Sequence, residues 1–167
     1  MFSTIREDWR RHKVSGTRVV LPLLVYRFGR WAQGLKWVLL RKVFGLIYVL
    51  VQPISALVGG IYLYRDTNVG ESPHFIHGGN IQISPLAKIG DRVGIMHGVT
   101  IGADMKTGMA PTIGDDVFLG ANCSILGNVT VGAGARVAAN SLVINNVPEK
   151  SFAIGVPAKS LPDGLLK

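Results

Sequence analysis

Two histidines, His77 and His97, have the spacing expected of a pair that acts together. They lie twenty residues apart, and each follows a large apolar residue, Phe75 or Ile95, by two positions. An imidazole gains and loses a proton near neutral pH, so a solvent-facing histidine can serve as a general base toward a hydroxyl group. The pair can work only if the fold brings the two rings together.

A six-residue repeat in the second part of the chain predicts such a fold. A hexad is too short for a helical repeat, whereas a short strand and a tight turn fit it, with the apolar residue inward. Three such faces close one coil of roughly 18 residues, and stacked coils bury a continuous core. Phe75 and Ile95 then begin the same face of adjacent coils, so we expect their two histidines to stack. The recurring apolar positions are Val69, Phe75, Ile81, Ile89, Ile95, Ile101, Ile113, Leu119, Ile125, Val131, Val137 and Val143.

Two units of this repeat are longer than six residues. The unit from Ile81 to Ile89 has two extra residues, and the unit from Ile101 to Ile113 has six. The second insertion, within residues 103–112, is polar and contains glycine. A rigid solenoid that carries one such loop presents it for a purpose, so we expect the loop to lie beside the histidine pair. A plain surface bulge is the alternative.

The charge of the chain is concentrated in its first 60 residues. The 167-residue sequence has 18 lysines and arginines against 10 aspartates and glutamates, a net charge of +8. Residues 1–60 account for all of that excess, because residues 61–167 carry equal numbers of both signs. No nucleic-acid-binding motif accompanies the charge, which is interleaved with long apolar runs, so we expect no nucleic-acid partner.

Residues 1–60 are predicted to form a basic, aromatic helical segment. A capping box at Thr4 predicts a first helix from about Thr4 to Lys13, and apolar periodicity predicts others near residues 19–33 and 35–52. Residues 43–64 carry no charge and follow three basic side chains. Their length would allow a membrane span, but their polar, proline and glycine residues fit a surface helix at least as well. Packing on protein is the other interpretation.

Three features of the chain resemble the hexapeptide-repeat acyltransferases. They are the hexads, the loop after Val99-Thr100-Ile101-Gly102 and the ending Gly155-Val156-Pro157-Ala158-Lys159. The resemblance covers about residues 61–160 and is strongest to the serine acetyltransferase branch, in particular to its short exopolysaccharide and colanic-acid-type enzymes. It implies a mainly β fold, a left-handed parallel β-helix, assembled as a homotrimer or a higher multiple. The predicted domains are therefore 1–60, 61–160 and a tail at 161–167.

The resemblance also assigns catalytic residues. In that branch a catalytic histidine lies twenty residues before the position that opens a Gly-Val-Thr-Ile/Leu-Gly motif, and His97-Gly98-Val99-Thr100-Ile101-Gly102 matches this motif. His77 is thereby implied to be the general base, with His97 as a second residue of the site. The implied chemistry is transfer of acetyl from acetyl-CoA to a hydroxyl, with backbone N–H groups stabilising the oxyanion.

The coenzyme is implied to lie in a groove between subunits. Its predicted contacts are Gly102, Ala121 and Ala139, with Lys159 at the nucleotide phosphates. No metal is expected. The trimeric zinc carbonic anhydrases share the solenoid, but their His-x4-His pair has no counterpart here because Arg92 lies five residues before His97. Cys123, the only cysteine, is predicted to fill a small inward position.

Three positions depart from the serine acetyltransferase pattern. That branch has aspartate where this chain has Ile76, aspartate one coil earlier near Tyr62, and histidine in the loop at Ala110. Because those residues would hold a serine substrate, their absence favours another hydroxyl. The partner that orients the catalytic histidine is left open between Asp66, Glu71 and a backbone carbonyl.

These observations predict a CoA-dependent O-acetyltransferase that acts on a polysaccharide or glycan precursor. The alternative is a serine O-acetyltransferase of cysteine biosynthesis. The basic helical segment predicts a cytoplasmic protein that sits peripherally at the inner membrane.

Overall fold

The computed structural model describes residues 2–12 and 17–162, in which three helices precede a solenoid. The helices are α1 (Phe2–Arg11), α2 (Thr17–Gln33) and α3 (Val38–Gly59). The predicted helix end at Lys13 and the tail from residue 163 onward lie outside the described residues. Helix α3 continues past its predicted end because Pro53 is accommodated and Ser55, Ala56 and Gly59 are buried.

Short strands follow and form three sheets. Up to β13, each strand pairs in parallel with the strand three places later, and β12 pairs in parallel with β14; the orders are β1-β4-β7-β10-β13 (sheet A), β2-β5-β8-β11 (sheet B) and β3-β6-β9-β12-β14 (sheet C), with β15 antiparallel to β14. This pattern confirms the predicted parallel solenoid. The strands are β1 (Ile61–Tyr62), β2 (Asn68–Val69), β3 (His74–Phe75), β4 (Ile81–Ile83), β5 (Lys88–Ile89), β6 (Gly94–Ile95), β7 (Thr100–Gly102), β8 (Thr112–Ile113), β9 (Phe118–Leu119), β10 (Ser124–Leu126), β11 (Thr130–Val131), β12 (Arg136–Val137), β13 (Leu142–Val143), β14 (Ser151–Gly155) and β15 (Ala158–Pro162).

The first long unit of the repeat lies elsewhere than predicted. Ile81 pairs with Ile61 while Ile83 pairs with Ile101, and both Ile81 and Ile83 are buried. The two extra residues therefore fall between Phe75 and Ile83, and not between Ile81 and Ile89. The hexad period predicted the wrong position for the insertion because two isoleucines flank Gln82 and both point inward. The extra residues widen the corner that carries His77.

Side chains of α2 bind the backbone of the first coil. The Tyr26 hydroxyl donates to the Thr67 carbonyl at 2.9 Å and accepts from the Val69 N–H at 3.2 Å. Arg27 donates to the Gly70 carbonyl at 2.9 Å. The helices thus complete hydrogen bonds that the outermost strands would otherwise leave to solvent.

A buried histidine fastens α1 to the same coil. His12 Nδ1–H donates to the Asp8 carbonyl at 2.7 Å, and Nε2 accepts the Phe75 N–H at 3.0 Å. The Phe75 N–H can only donate, so the proton of the neutral ring is assigned to Nδ1. Beside it, the fully buried Asp8 carboxylate accepts from Arg27 Nε at 3.2 Å. Burial raises the pKa of Asp8, and the Arg27 charge opposes that rise.

Cys123 lies in the core as predicted, and this sets its reactivity. Burial raises the pKa of its thiol to about 12. Because the thiolate is the reactive species, we expect the folded protein to resist a thiol-specific disulfide reagent at about pH 8. The same reagent should titrate one thiol per chain in denaturant. Rapid reaction of the folded protein would contradict the buried placement.

Candidate active site

His77 and His97 lie at the same corner of adjacent coils, between sheets C and A. Phe75 pairs with Ile95, and the Ile76 N–H donates to the Ile95 carbonyl at 2.9 Å. Both imidazoles are exposed, with ring centroids 6.1 Å apart and planes inclined at 53°. The expected stacking of the two rings is therefore present in the structure, where it leaves both rings open to a substrate.

Glycines let the end of α3 pack against this corner. A Cβ on Gly78 would lie 2.7 Å from the Gly59 carbonyl oxygen, and one on Gly60 would lie 2.7 Å from the Gly79 Cα. Gly60 and Gly79 also have positive φ, 64° and 121°. No larger residue fits these contacts. The backbone next to His77 is thus held directly by the helical segment.

The corner continues as a column of small residues. The register Ile95–Leu119–Val137 aligns Ala121 and Ala139 with His97, since each follows its paired residue by two. We call these four positions (His77, His97, Ala121 and Ala139) the histidine column. Below the two rings, the alanines leave backbone accessible along the column.

The other two predicted coenzyme contacts lie at different places. Lys159 is exposed and pairs with Ile154 of β14. The preceding residue, Ala153, pairs with Val137 of β12. Lys159 therefore stands at the C-terminal end of the histidine column. Gly102 lies at the C-terminal end of β7, whereas the histidine column lies before the N-terminal end of that strand. The structure therefore separates Gly102 from the column within one chain.

The extruded loop also begins at the C-terminal end of β7. Residues 103–111 connect β7 to β8 at the corner between sheets A and B. Asp104 closes the loop, since its N–H donates to the Met109 carbonyl and its carbonyl accepts from the Gly108 N–H, each at 2.8 Å. The Lys106 N–H donates to the Asp104 carboxylate and lowers its pKa. The expectation that the loop lies beside the histidine pair is wrong within one chain, because the two lie at opposite ends of the sheet A strands.

The two carboxylates proposed to orient His77 have other partners or neighbours. Asp66 accepts a hydrogen bond from Gln33 Nε2 at 2.7 Å. Glu71 lines a pocket with Arg10, Arg11 and Arg92. Within residues 2–12 and 17–162 the structure shows no hydrogen bond to the His77 ring. None of the three candidates for its orienting partner, Asp66, Glu71 or a backbone carbonyl of those residues, therefore binds His77 in this structure.

His74 belongs to the contact with α1. Its ring meets that of His12 edge-on, with centroids 5.3 Å apart. Burial is the main cause that lowers the pKa of His74, and the neighbouring Arg11 charge acts in the same direction. No motif in the sequence points to His12, because its contact with Phe75 joins residues 63 positions apart. Over the part of the chain that the structure describes, no cluster of three potential metal ligands occurs.

Comparison with known proteins gives consistent relatives. Residues 110–145 match the family model for the bacterial transferase hexapeptide (six repeats). Serine acetyltransferase 4 of Arabidopsis thaliana is 42% identical over 143 residues, 83% of this chain and 38% of the relative. Serine acetyltransferase of Helicobacter pylori (strain J99) is 32% identical over 119 residues, 68% of this chain and 70% of the relative. The chain thus spans about two fifths of the plant protein but most of the bacterial one.

A solved structure extends the likeness to nearly the whole chain. Soybean serine acetyltransferase complexed with serine matches with a TM-score of 0.81 and 27% identity, covering 95% of this chain and 68% of that one. The likeness confirms the predicted left-handed β-helix with N-terminal helices. These relatives support the serine acetyltransferase branch and not the narrower likeness to exopolysaccharide enzymes. The chain belongs to the serine acetyltransferase family of hexapeptide-repeat transferases.

Proposed function

We propose that this protein is an acetyl-CoA-dependent O-acetyltransferase in which His77 is the general base. The observation that carries the proposal is the exposed His77–His97 pair at the top of the histidine column. His77 takes the proton of the acceptor hydroxyl as its oxygen attacks the thioester carbonyl. The carbon–sulfur bond then breaks, and CoA leaves as its thiol with that proton. Backbone N–H groups of the turn at Gly78–Gly79 adjoin His77 and suit the oxyanion.

The column below the histidines suits the coenzyme. Ala121 and Ala139 leave room for an extended chain beside the backbone, and the Lys159 ammonium stands at the far end, where a phosphate would be stabilised. A serine acetyltransferase of the same fold has been solved in complex with CoA. We therefore assign acetyl-CoA as the co-substrate, with the coenzyme lying along the histidine column.

We propose L-serine as the acceptor and a homotrimer as the working assembly. The names of the relatives and the serine complex of the soybean enzyme support serine. The positions of the loop and of Gly102, across sheet A from the histidines, support the trimer. In a threefold assembly the loop of one subunit can reach the histidine pair of the next, which a single chain does not allow.

A sugar hydroxyl is the second candidate acceptor, and three residues favour it. Ile76 and Tyr62 are half-buried in the first coil, and Ala110 lies in the loop. None of them carries a charge that could pair with the ammonium or carboxylate of serine. A site that lacks polar partners for a charged substrate discriminates poorly in its favour. A glycan precursor carries no such charges on the reacting sugar.

One assay separates the two acceptors. The purified protein is given acetyl-CoA with either millimolar L-serine or neutral mono- and oligosaccharides, and the released CoA thiol is followed. We expect turnover of serine, and we expect Ile76→Asp to raise kcat/KM for serine because it restores a carboxylate beside His77. Turnover of sugars alone would overturn serine as the acceptor. Failure of a trimer, verified by light scattering, to turn over any hydroxyl would overturn the acetyltransferase.

A further inference from the structure

The outer face of α3 is apolar and uncovered in the protomer. Leu39, Leu50 and Leu57 are 73%, 62% and 80% exposed. At 100° per residue, the exposed apolar side chains cover roughly 220° of the helix circumference. They are Val38, Leu39, Leu40, Val43, Leu46, Ile47, Val49, Leu50, Val51, Ile54, Leu57 and Val58. We call this surface the outer face of α3, and it is far larger than the scattered apolar residues of an ordinary surface.

The opposite side of α3 is fastened along its length to the rest of the protein. The Phe44 ring meets Trp31 of α2 edge-on, with centroids 5.2 Å apart. The Tyr48 hydroxyl accepts the Arg65 N–H at 2.9 Å, and a Cβ on Gly59 would lie 2.5 Å from the Pro22 ring. The helix has the length and hydropathy of a membrane span. These contacts hold it lengthwise against α2 and the first coil, so crossing a bilayer would carry those partners into the hydrocarbon. A position in the membrane surface avoids that cost.

A cationic groove borders the outer face. It has a volume of about 450 Å³, and Arg41, Lys42 and Arg65 line it beside Leu46 and Val49. No carboxylate is among its lining residues, which also include Gln33 and Gly45. A groove lined by both cations and aliphatic groups matches a phosphate attached to acyl chains.

The charge and aromatic residues around α3 agree with this groove. Trp37 is 76% exposed at the start of the helix, and Trp31 is exposed on the neighbouring α2. Tryptophan at the border of an apolar surface is typical of a membrane interface. The net charge of +8 in residues 1–60 adds long-range attraction to an anionic leaflet.

We propose that α3 lies in the plane of an anionic phospholipid membrane, with a lipid phosphate held by Arg41, Lys42 and Arg65. A second copy of the chain could cover the apolar face, but it would bring like charges together without neutralising them. Because Gly59 and Gly60 pack on the turn at Gly78–Gly79, docking would hold the histidine pair close to the membrane surface. The inference does not depend on which acceptor the enzyme uses.

Flotation with vesicles tests the apolar part of the proposal. The full chain should float with vesicles of phosphatidylglycerol and phosphatidylethanolamine and far less with phosphatidylcholine alone. Leu50→Gln/Leu57→Gln should lower partition at least tenfold, because both side chains would be buried in the interface. Leu86→Gln is the matched control, since Leu86 is 58% exposed on the solenoid. Equal loss in the control, or none in the double variant, would overturn the proposal.

The cationic part is tested in the same experiment. Arg41→Gln/Lys42→Gln should reduce partition into the anionic vesicles by roughly fivefold for each cation removed, whereas Lys88→Gln on the solenoid should not. Absence of wild-type binding, with a lower mass by light scattering for Leu50→Gln/Leu57→Gln, would assign the face to a second copy instead. Acetyl transfer to a soluble acceptor, measured in parallel, reports separately on the proposed function.

Discussion

Replacing His77 by alanine is expected to lower kcat for acetyl transfer by about 10²–10⁴-fold, the usual contribution of a general base. The side chain is exposed and makes no hydrogen bond within the described residues, so its loss should leave the fold intact. The coenzyme contacts are assigned lower on the histidine column, at Ala121 and Ala139. The KM for acetyl-CoA should therefore change little. Steady-state kinetics of the purified variant, with circular dichroism as the folding check, measure both quantities.

His97→Ala is the matched comparison, because the same corner of the next coil presents the same side chain. Its ring lies 6.1 Å from that of His77, close enough to touch a bound acceptor. We expect its main effect on KM for the acceptor and a smaller loss of kcat than in His77→Ala. A folded His77→Ala enzyme with wild-type kcat would show that the base is another group.

Arg27→Met should lower the free energy of unfolding by about 3–5 kcal/mol, the cost of leaving a buried charge without its partner. Asp8 is completely buried, and its carboxylate accepts from the Arg27 guanidinium at 3.2 Å. The same guanidinium binds the Gly70 carbonyl, so the substitution also loosens α2 from the first coil. Urea unfolding at one fixed protein concentration measures the effect, since subunit assembly makes stability depend on concentration.

A second substitution identifies the cause of that loss. Adding Asp8→Asn to Arg27→Met removes the uncompensated charge, so the double variant should recover a large part of the lost stability. Arg30→Met, one turn further along α2 at an exposed position, is the control and should change stability by less than about 0.5 kcal/mol. If Arg30→Met and Arg27→Met destabilise equally, the buried pair does not hold the helices on the solenoid.

The repeat made the solenoid and the histidine pair predictable. A strict period places residues on faces, so His77 and His97 could be stacked from their offsets to Phe75 and Ile95 alone. The same logic failed between Phe75 and Ile83, where either of two isoleucines satisfies the period. The period does place the loop one face after the histidine pair, because the insertion follows Ile101 whereas His97 follows Ile95.

The docking of the helices left no comparable pattern in the sequence. His12 and Tyr26 bind backbone atoms more than 40 positions away, and the partner in each case is an amide or carbonyl that every residue carries. The choice between serine and a sugar as the acceptor reflects a related conflict between local and chain-wide signals. Ile76 and Tyr62 weakened the resemblance to serine enzymes locally, whereas the relatives match this chain over most of its length.

The hydrogen bonds from α1 and α2 to the first coil also have a consequence for assembly. A parallel coil with unpaired backbone groups is a template on which another coil can be laid, and stacked solenoids would then grow into a filament. Tyr26, Arg27 and His12 occupy those groups at one end. At the other end, β15 turns back antiparallel to β14 and breaks the parallel ladder of sheet C. Sheets B and C at the first coil, and sheet C at the last coil, are thereby protected from pairing with a second solenoid.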